Sequence, residues 1–158
     1  MSVTPIWKQP VTLGPVGSQP LPPQPNTLGA HLGLRLTEIG PDFLRGSLPV
    51  DGRTMQPFGR LHGGASCALA EELGSTAANL CLDPARAFSV GLEINANHLR
   101  AVTGGHVHGT ARPLHLGRST QVWEIRIEDD SGKLVCVSRL TVAVMTHGRN
   151  IGGAVESR

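Results

Sequence analysis

Residues 56–75 read QPFGRLHGGASCALAEELGS, and this stretch decides the fold. Pro57 and Gly59 mark a loop, and from Gly63 or Gly64 the residues turn small and apolar at helical spacing. The pattern runs to about Leu80 and is closed by Asp83-Pro84, because the residue before a proline is driven out of the α region. This predicts one long helix. At about 100° per residue Leu69, Leu73 and Leu80 form the stripe that should meet a sheet. Two adjacent glutamates, Glu71 and Glu72, interrupt the segment, and no Lys or Arg stands between Arg60 and Arg86. Glu72 falls at the flank of the leucine stripe, and Glu71 nearly opposite it.

A helix glutamate opposite the apolar stripe is ordinarily on a solvated face. The neighbours of Glu71 argue against that. Cys67, Gly74, Ser75 and Ala78 share its side, where a solvated face would carry Lys, Arg, Gln or more Glu. The expectation is a helix covered on both sides, by its own sheet on one and by a partner subunit or a substrate on the other. A carboxylate in such a crevice has its proton affinity raised by desolvation, which suits a general base or nucleophile near neutral pH. The first N–H groups of a helix are unpaired and carry the positive end of its dipole, so that of Gly63 or Gly64 is a candidate to hold a developing oxyanion. A glycine pair also makes a plain turn, but Gln56 and His62 add side-chain donors beside it. No serine or cysteine stands in a nucleophile elbow, and there is no phosphate loop.

Outward from the helix, Leu32 to Ile39 and Phe43 to Val50 read as a strand hairpin turned at Pro41-Asp42, with Leu44, Gly46, Leu48 and Val50 on one face. After the helix, Phe88 to Leu99, His106 to Leu114, Thr120 to Glu128 and Lys133 to Met145 read as strands, with Trp123, Ile125 and Ile127 alternating with polar residues. Asp129-Asp130-Ser131-Gly132 is a strong hairpin signal. Two strands, a helix and four strands joined by short connections predict an α+β domain, an antiparallel sheet packed on one long helix. The proline-rich arm, residues 1–27, reads as an extended surface strap or partly disordered, without catalytic role, and the tail 147–158 as frayed.

Composition narrows the function. The chain has 158 residues, 39% hydrophobic and 16% charged, enough for one well-cored domain. A net charge of +2 without runs of like charge, and 3% aromatic residues, argue against nucleic acid and against a polybasic membrane surface. Three widely spaced cysteines, Cys67, Cys81 and Cys136, fit reduced core thiols, and with no export signal visible the expected compartment is the cytoplasm.

The stretches DGRTMQPFGRLHGGASCALAEELGS, VGLEINANHLR and PLHLGRSTQVWEIRI together resemble the hotdog-fold acyl-CoA thioesterases of the PaaI-like group. The resemblance spans about residues 28–146 and is nearest to the 1,4-dihydroxy-2-naphthoyl-CoA hydrolases of menaquinone synthesis and their enterobactin-proofreading relatives. It implies a hotdog fold assembled as homodimers or as dimers of dimers (a homotetramer), and CoA as part of the substrate with no cofactor and no metal. It implies Glu71 as the catalytic carboxylate, acting as nucleophile or as base for water. Gln56, His62 and the N–H of Gly63 would polarise the thioester carbonyl from the facing subunit. Ser75, and more weakly Thr76, would position water or the carboxylate. Relatives often carry serine where this chain has Glu72, whose charge would raise the proton affinity of its neighbour further. For CoA the resemblance points to Gly91, to His98, Leu99, Arg100 and Ala101, and to the turn His115, Leu116, Gly117, Arg118, Ser119 and Thr120. Its cations and a nest of N–H groups at Gly117 suit phosphates.

Three other readings compete. His106 and His108 share a strand face and would make half of a metal site, without an evident third ligand. A hotdog hydratase or dehydratase would use His62 and Glu71 as an acid/base pair. A non-catalytic acyl-binding module would keep the fold alone.

Overall fold

A computed structural model describes residues 4–16 and 24–147 of the chain. The long helix, α2, runs Gly63–Leu80, as the sequence predicts. It packs on a seven-stranded antiparallel sheet whose spatial order is β1 (Gly14–Pro15), β2 (Arg35–Ile39), β3 (Leu44–Pro49), β7 (His106–Leu116), β8 (Thr120–Asp129), β9 (Leu134–Thr146) and β6 (Ala87–His98). A short helix, α1 (Leu28–Leu32), precedes β2, and a second sheet is the two-stranded hairpin β4 (Met55–Gln56) and β5 (Arg60–Leu61). This is an α+β hotdog-like fold.

The core forms where the leucine stripe meets the inward side chains of the sheet. Leu69 and Leu73 on α2, Trp123, Ile125 and Ile127 on β8, and Leu140 and Val142 on β9 are fully buried. Each such side chain contributes about 1.5–3 kcal/mol relative to exposure. Gly46 and Gly109 face each other across β3 and β7. A Cβ on either would lie 2.8 or 2.6 Å from the Leu73 side chain, so this glycine pair lets the helix approach the sheet.

Four expectations change. The strand expected over Leu32–Ile39 begins at Arg35, because Thr27 caps α1 by accepting from the Ala30 N–H and Gly33, at φ 77°, ends it. The loop read between Asp51 and the helix contains the β4–β5 hairpin. Gly74 and Ala78 are both buried within the chain itself, and a Cβ on Gly74 would lie 2.5 Å from Leu140 of β9, so the sheet covers Gly74. Leu80, read as part of the buried stripe, is only partly buried.

The arm is a packed strap over residues 4–16. Trp7 stacks on Trp123 with ring centroids 6.4 Å apart, and its indole N–H donates to the Gly40 carbonyl at 2.7 Å. The N–H groups of Lys8 and Gln9 both donate to the Leu80 carbonyl, satisfying an acceptor that the end of α2 leaves open. Pro20, Pro22 and Pro23, and the tail from residue 148, lie outside the described residues.

β6 is an edge strand paired only with β9 among the described residues. A bulge between Gly91 and Glu93 inserts Leu92 and reverses the alternation of the strand. Phe88, Val90 and Leu92 are left exposed along it.

Candidate active site

The start of α2 is built by the loop before it. Hydrogen bonds from Arg53 hold the Asp51 carboxyl down at about 2, so this carboxylate anchors the loop at any ordinary pH. The buried Thr54 hydroxyl donates to the Pro49 carbonyl at 2.6 Å, and the Thr54 carbonyl accepts from the His62 N–H at 2.8 Å. His62 is then the N-cap, its Nδ1 accepting the Gly64 N–H at 2.8 Å. An accepting Nδ1 is unprotonated, so a neutral His62 carries its proton on Nε2, which has no partner among the described residues. Gly64 is thereby spent, and of the two glycines it is Gly63 whose N–H has no partner among the described residues. Gln56 faces the same place. Its Oε1 accepts the Phe58 N–H, and its side-chain NH2 has no acceptor among the described residues.

Gln56, Arg60, Gly63, Ser66, His98 and Arg100 line one groove of about 340 Å³. Leu99 and Ala101 complete its wall, so the sequence-predicted run from His98 to Ala101 lies with the carbonyl donors. A Cβ on Gly63 would lie 2.8 Å from His98 Nε2, so a larger residue here would push the exposed imidazole aside.

Glu71 and Ser75 lie in a second groove with Gln9, Glu72, Thr76 and Asn79. The Ser75 hydroxyl donates to Glu71 Oε1 at 3.0 Å. Gly91 covers the carboxylate: a Cβ there would lie 2.9 Å from the same oxygen. Asn79 holds the surroundings, donating to the Ser75 carbonyl at 3.0 Å and accepting the Ser89 N–H of β6 at 2.9 Å. Gln9 of the arm donates to the Asn79 carbonyl at 2.8 Å. Glu72 has no hydrogen-bond or ionic partner among the described residues. Burial raises its carboxyl above the ordinary range, and the charge of Glu71 adds to this second.

The predicted site residues therefore fall into separate places in one chain. Gly63 and Glu71 are eight residues apart on α2, about 12 Å along its axis, and Ser75 draws the carboxylate toward the far turn. Gly91 joins Glu71, whereas His98 stands roughly 23 Å further along β6. The turn from His115 to Thr120 lies at the Gly91 end, where Thr120 pairs with Ala143 and Ala143 with Val90. The Gly117 N–H is spent on the Thr120 carbonyl at 2.9 Å, so it adds nothing to a nest of donors. Leu116, Arg118 and Ser119 stay exposed on the same turn.

Gln9 and Asn79 were not among the expected site residues. Asn79 stands one turn beyond Ser75, a spacing that carries a signal, but Gln9 reaches the groove only through the docking of the arm. His106 and His108 have a structural explanation: Asp130 accepts from the His106 backbone N–H and meets His108 Nε2 at 2.8 Å, tying β7 to the β8–β9 turn. These contacts, with His108 foremost, lower the Asp130 carboxyl. Among the described residues no three His, Cys, Asp or Glu side chains are grouped to hold a metal, and no helix is long and apolar enough to cross a membrane.

Comparison with known proteins gives a consistent answer. The profile of the thioesterase superfamily matches residues 58–136. A putative esterase of Pseudomonas aeruginosa is 49% identical over 140 residues, 89% of this chain and 94% of that protein. The 1,4-dihydroxy-2-naphthoyl-CoA hydrolase of Escherichia coli is 49% identical, over 89% of this chain and 99% of its own. The crystal structure of a Haemophilus influenzae thioesterase superposes with a TM-score of 0.81 at 45% identity, covering 93% of this chain and 99% of that one.

Proposed function

This chain belongs to the thioesterase superfamily, and from that membership we propose that it hydrolyses aromatic acyl-CoA thioesters to the free acid and CoA, with Glu71 as the catalytic carboxylate. It is a hotdog-fold thioesterase. The substrate of the Escherichia coli relative's name, 1,4-dihydroxy-2-naphthoyl-CoA, is the first thioester to test.

The observation that carries the reading is the unspent N–H of Gly63, which lines one groove with Gln56, while the His62 imidazole that caps the helix lines a separate groove with Gly64. Donors fixed before the reaction stabilise the negative charge that grows on the thioester oxygen. An oxygen nucleophile adds to the carbonyl carbon, the C–S bond breaks, and the CoA thiolate leaves and takes up a proton. Glu71 serves either as the base that removes the proton from water or as the nucleophile that forms an anhydride opened by water. Incorporation of 18O into Glu71 during single turnover separates the two routes.

A carbonyl held at Gly63 lies beyond the reach of the Glu71 of the same helix, so the site is shared between two copies, the donors from one and the carboxylate from the other. The exposed Phe88, Val90 and Leu92 on the open edge of β6 support pairing of that edge with its copy. The assembly is a homodimer at least, in this reading a dimer of dimers. Residues 28–146 form its thioesterase domain, with His98 to Ala101 and the turn His115 to Thr120 receiving CoA. The free cysteines suit a reducing cytoplasm.

Release of CoA thiol from a panel of aroyl-CoA and fatty acyl-CoA thioesters tests the proposal. A panel without turnover overturns the thioesterase reading. A Glu71→Ala variant that keeps the wild-type rate overturns the role of the carboxylate.

A further inference from the structure

Arg60 and Glu72 are both without an oppositely charged partner among the described residues, whose ion pairs involve other side chains. Neither is placed at random. Arg60 stands directly across the β4–β5 ladder from Gln56. Residues opposite each other on a ladder project to the same side with Cβ atoms about 5 Å apart, and both side chains line the groove that holds the Gly63 N–H. Glu72 follows Glu71 and lines the groove that holds the carboxylate. The copy that brings Gln56 to the Glu71 of its partner therefore brings Arg60 alongside Glu72.

We propose that Arg60 of one chain pairs with Glu72 of a second copy, so that each shared active site is bridged by an ion pair between subunits. The inference rests on the reading of the site as shared. It gives Glu72 the cation that no residue of its own helix supplies. In the lone chain, burial and the charge of Glu71 disfavour the ionised form of Glu72. A guanidinium within about 4 Å opposes both. A partly desolvated pair of this kind is worth more than an exposed one, and it penalises any mutual placement that sets like charges together. The pair thus fixes the register in which the donors of one chain meet the carboxylate of the other.

Charge reversal tests the pair and also where its two halves come from. Arg60→Glu and Glu72→Arg each set like charges face to face, and each should raise the dimer dissociation constant in sedimentation equilibrium by about tenfold or more. In a mixture of the two variants, the heterodimer meets glutamate at position 60 with arginine at position 72 in one site and the native pair in the other. Recovery of the mixture to within about threefold of wild type is the expected result. Single variants without effect overturn the proposal. So does recovery in the double variant but not in the mixture, which would place the pair within one chain. If the reversals do not fold, the neutral variants Arg60→Gln and Glu72→Gln and their double carry the test: losses that simply add overturn the pair, and coupled losses support it. Thioester turnover is read in parallel. Coupled variants of a protein without turnover refute the reaction alone, and additive variants of an active enzyme refute the pair alone.

Discussion

The Ser75 hydroxyl donates to Glu71 Oε1 at 3.0 Å, from one helical turn further along α2. A hydrogen bond to a charged group is worth about 1.5–3 kcal/mol. Ser75→Ala should therefore lower kcat roughly ten- to hundredfold with KM little changed, and Glu71→Ala should lower it by about a thousandfold or more. Steady-state kinetics on one aroyl-CoA check both, and an unchanged kcat in Ser75→Ala would remove the hydroxyl from the mechanism.

Gly91 tests how closely β6 covers the carboxylate. A Cβ there would lie 2.9 Å from Glu71 Oε1, and the far end of a glutamate can swing away. Gly91→Ala should therefore leave the thermal midpoint within a degree or two while kcat falls about tenfold, since a displacement of about 1 Å at a catalytic group is costly. A large loss of stability with normal turnover would contradict this.

Trp7 anchors the strap. It is buried on Trp123 and hydrogen-bonded to Gly40, and truncating a buried tryptophan costs about 3–5 kcal/mol. Urea unfolding of Trp7→Ala should show that loss in the midpoint. Because the same strap carries Gln9 to Asn79 in the Glu71 groove, turnover should fall as well, even in urea-free buffer. The sequence predicts no catalytic role for this arm, and normal turnover would uphold that.

Two thiols give the pH dependence. Burial pushes Cys81 and Cys136 up from 9.0 to about 11. The folded chain thus holds these protons more tightly than the unfolded one. The stability they contribute is complete below about pH 9 and is lost as pH rises through 11. In the Cys81→Ala/Cys136→Ala variant the fall of the thermal midpoint across this window should be shallower than in wild type. An equal slope would show that the thiols do not set it.

The sequence carries the helix because leucine spacing and the Asp83-Pro84 stop are local, and it carries β8 because Trp123, Ile125 and Ile127 alternate. The bulge at Leu92 leaves no such trace: one inserted residue shifts a pattern that an edge strand already blurs with exposed apolar side chains. Glu71 is legible as a carboxylate without a cation in its own segment. The smallness of Gly74 and Ala78 is misleading, because a covering sheet and a covering partner ask for the same residues. Asn79 and Gln9 escape notice because their meeting depends on where the arm docks.

The stacking of Trp7 on Trp123 has a consequence for synthesis. Trp7 leaves the ribosome long before Trp123, so the strap is made early and docks late. Contacts so distant along the chain slow folding, because the loop between them must be closed first. Until then the last carbonyl of α2 and one face of Trp123 stay open, and a nascent chain stalled before β8 would expose both.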